Sequence, residues 1–213
     1  MAANYASVAF GVEAKKLQEK FGSRNTYARM EKQASFDGLT QNEENFIAER
    51  DSFYVASVGE NGFPYIQHRG GEKGFLKIVD EHTLILPDFS GNKQYISVGN
   101  LATNNKVALL LMDYPHKARL KIYALAEILD IKERHEFAQF FKDSKAERLI
   151  KLTVEAFDWN CPQHITQRFS IDEIQQILAP KTVLIEQLQL ENKELKEALA
   201  LLKLANRPTD FIE

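Results

Sequence analysis

The sequence predicts a mainly β protein, a six-stranded antiparallel β-barrel with peripheral helices. Aromatic and apolar runs alternate with turn residues at short spacing, which leaves little room for the crossover helices of a parallel sheet. The Asn61-Gly62 pair between the first two runs is the strongest short hairpin signal. The six predicted strands are residues 52–58, 64–69, 75–79, 83–86, 106–112 and 119–129. This succession of short strands favours an antiparallel barrel over a parallel α/β sheet.

Helical patterns flank the strand-rich region. The predicted helices are residues 8–21, 40–50, 94–103, 131–142 and 171–178. Two capping-box patterns mark helix starts, namely Thr40 with Glu43 and Ser170 with Glu173. Gly22 ends the first helix as a C-terminal cap, and Pro180 is expected to end the last one. Residues 23–39 show no period and are predicted to be extended, whereas 148–157 fits a helix or a strand, with a strand favoured at 151–156.

The C-terminal residues follow a different pattern, that of a short coiled coil. The residues at its a and d positions are Ile185, Leu188, Asn192, Leu195, Leu199 and Leu202. Glu191 at g and Lys196 at the following e have the spacing of an interchain ion pair in a parallel dimer. An amphipathic helix folded onto its own barrel is the alternative. We therefore expect an N-terminal arm at 1–40, a barrel domain at 41–180 and a C-terminal helix and tail at 181–213.

Composition excludes some functional classes. The net charge of −3 and a pI near 6.0 argue against a nucleic-acid-binding protein, which carries a basic surface. No run approaches 18 apolar residues, and the N-terminus lacks the pattern of a secretory signal, so we expect a cytoplasmic protein without membrane contact. The single cysteine, Cys161, excludes an internal disulfide.

Two short clusters carry groups suited to an anion. His68, Arg69, Gly70 and Gly71 end one apolar run, and Ser90, Gly91, Asn92 and Lys93 precede a predicted helix. A phosphate requires positive charge and several short donors, which a Ser-Gly-Asn-Lys turn at a helix N-terminus supplies within one turn. An arginine at a strand end facing this turn would complete an anion clamp. Taken singly, each cluster also fits an ordinary solvated loop.

The order of these clusters resembles the flavin-binding split barrel of the pyridoxamine 5′-phosphate oxidase-like family. The resemblance spans residues 45–175 and is carried by the segments 51–71, 88–101, 112–114, 119–122 and 159–165. It implies an FMN-binding split β-barrel and a homodimer with its flavin sites at the subunit interface. It also assigns the phosphate to Arg69 and to the turn from Ser90 to Lys93.

Several further residues complete the predicted cofactor site. The full set is Gln67, His68, Arg69, Gly70, Ser90, Gly91, Asn92, Lys93, Gln94, Arg119, Lys121, Trp159, Gln163 and His164. Strand alternation places Arg119 and Lys121 on one side, so both or neither should face the flavin, and a solvated strand face is the alternative. The segment 159–165, Trp-Asn-Cys-Pro-Gln-His-Ile, is expected to form a lid over the ring. This segment differs from the oxidase's own C-terminal pattern, so no substrate-binding residue is transferred to it.

The sequence assigns no catalytic residue. Cys161 could act as a nucleophile, but a lone cysteine is commonly an inert thiol. The histidines show no metal-ligand spacing, so no metal site is predicted. The favoured function is that of an FMN-dependent oxidoreductase, similar to the phosphate oxidase or to flavin reductases, in which a small substrate or reductant lies against the ring and passes a hydride to it. The alternative is a flavin-nucleotide-binding or sensing protein without turnover, whose C-terminal helices signal to a partner.

Overall fold

A computed structural model describes residues 4–32, 38–91, 93–130, 137, 140, 146–159 and 163–205. The chain forms two compact units, Met1–Thr166 and Gln167–Glu213. The first unit contains the sheet and the N-terminal helices, and the second contains one long helix. The domain boundary that we predicted at residue 181 lies within this helix.

The first unit is built on a seven-stranded antiparallel sheet. Its strands are β1 (Ser52–Val58), β2 (Pro64–Gly70), β3 (Lys77–Asp80), β4 (Thr83–Asp88), β5 (Lys106–Asp113), β6 (Ala118–Asp130) and β7 (Arg148–Trp159). They lie in the order β2-β1-β5-β6-β7-β4-β3. The mainly β, antiparallel class is confirmed, but the number of strands is seven where the sequence predicted six.

The additional strand, β7, is the run that fitted both a helix and a strand. Apolar residues recur at every second position from Leu152 to Ala156 and are buried, while the residues between them are not. β7 pairs with β6 on one side and β4 on the other. This two-sided pairing, which local sequence does not reveal, settles the ambiguity in favour of a strand.

The sheet packs around a main hydrophobic cluster and a smaller one. Along β5 and β6, buried residues alternate with partly exposed ones, so every second side chain points inward. The largest fully buried residues of the sheet are Phe53, Leu84, Ile85, Leu109, Leu111, Leu120, Ile122, Leu149 and Leu152. Phe75 stacks on Phe53 with ring centroids 5.6 Å apart. This packing makes a rigid base for the ends of β2 and β4, where the candidate site lies.

A smaller cluster contains Ile85, Leu129 and Leu149, against which Phe137 and Phe140 pack. These two aromatic residues belong to the helix predicted at 131–142, and the remainder of that prediction lies outside the described residues.

Five helices of the first unit are described: α1 (Tyr5–Ala9), α2 (Val12–Lys20), α3 (Arg24–Lys32), α4 (Gln41–Ala48) and α5 (Ile96–Thr103). The single helix predicted at 8–21 is wrong, because Gly11 adopts an extended conformation between α1 and α2. The extended segment predicted at 23–39 is also wrong over α3, whose Glu31 forms ion pairs with Arg24 and, at 2.9 Å, with Lys15 of α2. The capping box that opens α4 is confirmed.

The second unit contains α6 (Ile171–Ala205), a helix of 35 residues. The capping box at its start is confirmed, since the Ser170 hydroxyl accepts a hydrogen bond from the backbone N–H of Glu173 at 3.2 Å. Our expectation that Pro180 ends the helix is wrong. Proline removes the backbone donor to the carbonyl of Gln176, yet the helix continues through this position to Ala205. None of the described helices combines the length and apolar character needed to cross a membrane.

Candidate functional site

A polar cleft lies where the second half of β2 meets the end of β4 and the start of α5. Its lining residues are Tyr65, Gln67, Arg69, Asp88, Phe89, Ser90, Gly91, Lys93, Gln94, Tyr95, Ile96, Ser97, Val98 and Arg148. Alternation along β2 explains part of this set. Tyr65, Gln67 and Arg69 share the less exposed face of the strand, and the residues between them share the exposed face.

Two arginines hold one buried carboxylate in this cleft. Arg69 Nη1 lies 2.9 Å from Asp88 Oδ1, and Arg148 Nε and Nη2 each lie 3.1 Å from Asp88 Oδ2. Asp88 is the last residue of β4 and pairs with Arg148, the first residue of β7. The side chain of Asp88 is 6% exposed, against 14% for Arg69. A buried carboxylate with a guanidinium on each oxygen fixes both arginine heads in place.

The cleft carries a surplus of positive charge. Its lining includes three cationic side chains, Arg69, Arg148 and Lys93, and one carboxylate, Asp88, which gives a formal charge of +2. Arg69 Nε is buried and has no hydrogen-bond partner among the described residues. A buried donor without a partner is unfavourable, so this N–H favours a bound acceptor.

The loop between β4 and α5 turns sharply. Gly91, Lys93 and Tyr95 have φ values of 47°, 59° and 52°. The left-handed region is unfavourable for the two residues with side chains, so this loop stores some strain beside the cleft. The N–H of Lys93 donates to the carbonyl of Ser90 at 3.1 Å, which closes the turn. Asn92, which the sequence assigned to this turn, lies outside the described residues.

The helix α5 presents its N-terminus to the cleft. Its N-cap residue, Tyr95, makes no side-chain cap hydrogen bond, and Ile96, Ser97 and Val98 line the cleft. The Ser97 hydroxyl donates to Gln67 Oε1 at 2.5 Å, which links α5 to β2. A helix N-terminus without a side-chain cap offers N–H groups and a positive dipole end to an anion.

The structure thus brings six predicted site residues into one cleft: Gln67, Arg69, Ser90, Gly91, Lys93 and Gln94. Sequence reasoning missed Arg148, Asp88, Tyr95 and Ser97. The guanidinium of Arg148 also lies 5.1 Å from the centre of the Tyr95 ring. No local pattern singles out Arg148, because Asp88 is 60 residues away in the sequence.

The other predicted site residues that the structure describes do not line this cleft. His68 and Gly70 lie on the exposed face of β2, where His68 packs edge-on against Tyr54 with centroids 5.5 Å apart. Gln163 and His164 lie in an exposed turn, where His164 has a φ of 65°.

Arg119 and Lys121 lie on the outward face of β6, on the same side as each other. Lys121 Nζ is 2.8 Å from Asp158 and 4.5 Å from the centre of the Tyr5 ring of α1. Tyr5 in turn stacks on Tyr123 with centroids 4.8 Å apart. Arg119 Nε is buried and lacks a hydrogen-bond partner among the described residues. The face that holds Lys121 and Tyr123 is therefore covered by α1.

Trp159 packs against α4. Its indole N–H donates to Glu43 Oε1 at 2.5 Å, and its ring meets Phe46 edge-on with centroids 4.7 Å apart. Burial raises the pKa of Glu43, but hydrogen bonds from Thr40 and Trp159 outweigh it and leave this pKa below its ordinary value. The tryptophan thus anchors the end of β7 to α4. Cys161, in the segment predicted as a lid, lies outside the described residues.

Comparison with known proteins assigns a family. The family profile described as pyridoxamine 5′-phosphate oxidase matches residues 39–161, more than half of the chain. No curated protein sequence gives a significant match.

Two solved structures illustrate the likeness. The chain is 18% identical to HupZ of Group A Streptococcus, over 62% of this chain and 99% of that one, with a TM-score of 0.47. It is 22% identical to a Clostridium acetobutylicum protein related to general stress protein 26 of the pyridoxinephosphate oxidase family. That match covers 62% of this chain and 94% of that one, with a TM-score of 0.43.

Proposed function

Because this chain belongs to the pyridoxamine 5′-phosphate oxidase family, we propose that it is a flavoprotein that binds FMN with the phosphate in the polar cleft. The single observation that carries this proposal is the cluster of Arg69 and Arg148 around Asp88, in which Arg69 Nε has no partner among the described residues. These groups suit a phosphate in charge and in donor type.

The charge of the cleft matches that of a phosphate monoester, which carries about −1.5 to −2 at neutral pH. Three cations and one carboxylate leave the cleft with +2. Asp88 lowers the attraction for an anion but holds both guanidinium groups, so neither has to be ordered when the phosphate binds. Arg69, Arg148 and Lys93 would therefore bind the phosphate by charge.

Neutral donors complete the phosphate site. The Ser90 hydroxyl and the first N–H groups of α5 border the same cleft. Gly91 lets the backbone approach closely because it has no side chain and a φ of 47°. Helix N-termini bind phosphates in this way in many proteins.

The flavin ring needs an apolar surface. Phe89, Tyr95 and Ile96 border the cleft and are 50%, 45% and 41% exposed. In this proposal the ring packs partly on these residues, and a second copy of the chain covers the remainder in a homodimer. Tyr54 and Ile66 on the outer face of β1 and β2 are exposed apolar residues that such a copy would bury.

We assign the protein to the FMN-dependent oxidoreductases acting on a small substrate or reductant. Bound FMN supplies hydride chemistry, and the chain's own residues bind it, orient it and limit the access of water. A flavin-binding protein without turnover is the second candidate, because α6 is a long exposed helix suited to contact with another chain.

The test is to denature the purified protein and identify the released cofactor by chromatography, and then to reconstitute the colourless protein with FMN, FAD or riboflavin. We expect one FMN per chain and no FAD. Protein that cannot be reconstituted with FMN would refute the proposal. Rapid reduction of the bound flavin by a nicotinamide or pyridoxamine compound, with reoxidation by oxygen, would favour the enzyme over the binding protein.

A further inference from the structure

The second unit presents a long, mainly apolar seam to solvent. From Ile171 to Leu202, the a and d positions of five heptads are apolar at eight of ten places. These apolar residues are Ile171, Ile174, Leu178, Ile185, Leu188, Leu195, Leu199 and Leu202, and they are between 44% and 74% exposed. The two exceptions are Lys181 and Asn192. Most of the stability of such a helix comes from packing its apolar face, so this seam requires a partner surface.

We propose that the partner is a second copy of the same helix, in a parallel, in-register two-stranded coiled coil. The a and d repeat of 3.5 residues is the pattern of such a seam. Pro180, which would disturb helix packing, lies at a c position and faces away from the seam.

Asn192 selects the register. In a parallel and in-register pair, the asparagine at an a position lies opposite the same residue of the partner, and the two amides can hydrogen-bond to each other. A parallel pair shifted by one to three heptads places this amide against an apolar a residue, namely Ile171, Leu178, Ile185 or Leu199, where it loses a hydrogen bond.

The charges around Asn192 select the same alignment. Glu191 occupies a g position and Lys196 the next e position. In a parallel pair, Glu191 of each helix faces Lys196 of the other, so two ion pairs flank the asparagine layer. An antiparallel pair would instead bring e positions together with e positions and g with g, which loses this match. The helix is therefore complementary to itself.

Cysteine cross-linking in the full-length protein tests the proposal, with Cys161→Ser as the background. Leu188 at d and Leu190 at f are the same residue type, two positions apart, and 53% and 58% exposed. Under mild oxidation, we expect Leu188→Cys to convert most chains to a covalent dimer, and Leu190→Cys to give at least about tenfold less. Equal yields at both positions, or no dimer at Leu188→Cys, would overturn the proposal, including when the helix binds a different protein. Leu202→Cys tests the direction, because two copies of Leu202 face each other in a parallel pair but lie roughly 45 Å apart in an antiparallel pair matched over the same seam. Failure of Leu202→Cys to form the covalent dimer would overturn the parallel arrangement.

A second pair of variants separates seam contacts from general effects on the helix. Leu195→Asp at d, added to Leu188→Cys, should abolish the covalent dimer, whereas Leu201→Asp at c should leave it unchanged. These residues are 70% and 68% exposed, so a lone helix would tolerate both equally. Loss of the dimer with both variants would contradict the seam. Circular dichroism verifies that both proteins keep their helix content.

Discussion

Replacing Arg69 with alanine should weaken FMN binding far more than riboflavin binding. Arg69 is 14% exposed on its side chain and offers a buried Nε donor to the cleft. A charge-assisted hydrogen bond in such a place contributes about 1.5–3 kcal/mol. At about 1.4 kcal/mol for each tenfold change, the Kd for FMN should rise by roughly 10- to 150-fold. Riboflavin has no phosphate, so its Kd should change little.

The substitution should leave the fold intact. Asp88 would lose Arg69 but keep Arg148 at 3.1 Å on its other oxygen, so the buried carboxylate is not left unpaired. The thermal unfolding of the variant, followed by circular dichroism, verifies this point. Arg29→Ala is a matched control, because Arg29 is an exposed residue of α3 outside the cleft.

Titration calorimetry of both ligands against the wild type, Arg69→Ala and Arg29→Ala gives the comparison. The decisive quantity is the ratio of the two Kd values for each protein. An equal loss of FMN and riboflavin binding in Arg69→Ala would refute the assignment of this arginine to the phosphate.

Three further outcomes are expected. Lys93→Ala should also weaken FMN binding more than riboflavin binding, by a smaller factor than Arg69→Ala. This factor should shrink in high salt, because the charge of a lysine in a surface turn is screened, and calorimetry at two salt concentrations measures it. No change in the Kd for FMN at low salt would exclude Lys93 from the phosphate site. Glu43→Gln should destabilise the protein by about 1–3 kcal/mol at pH 7, because the Thr40 and Trp159 hydrogen bonds favour the charged carboxylate. Since the pKa of Glu43 is lowered on folding, this contribution is present above its unfolded pKa and is lost as pH falls through its folded pKa. Urea unfolding should therefore show that the stability difference between the variant and the wild type shrinks in acid. A stability difference that stays constant with pH would contradict the direction of the pKa shift. Truncation after Thr166 should leave a dimer that binds FMN with unchanged Kd, because the cleft belongs entirely to the first unit. If the truncated protein is a monomer by light scattering and has lost its flavin, α6 is the main dimer interface.

Local patterns in the sequence predicted much of the site. Arg69 ends a predicted strand, and Ser90 to Lys93 precede a predicted helix, so each cluster is encoded within a few residues. The structure places Arg69 of the first cluster and Ser90, Gly91 and Lys93 of the second on the same cleft. The family resemblance, rather than periodicity, predicted that the two clusters belong to one site.

Contacts between distant residues could not be predicted in this way. Arg148 lines the cleft because β7 pairs with β4, which places it beside Asp88, 60 residues earlier in the sequence. Likewise, the family resemblance and the polar yet aromatic composition of its segment favoured a lid role for Trp159, but its indole N–H donates to Glu43, 116 residues away. The helix prediction at Pro180 was wrong because a proline usually breaks a helix interior, whereas this helix continues on both sides of it.

The most direct test of the central claim is a crystal structure of the protein reconstituted with FMN. We predict that the phosphate lies between Arg69, Arg148 and Lys93, with its oxygens about 2.7–2.9 Å from the guanidinium nitrogens. We also predict that Asp88 stays bound to both arginines. A phosphate bound elsewhere, with the cleft empty of ligand and the Arg69–Asp88–Arg148 cluster unchanged, would contradict the account.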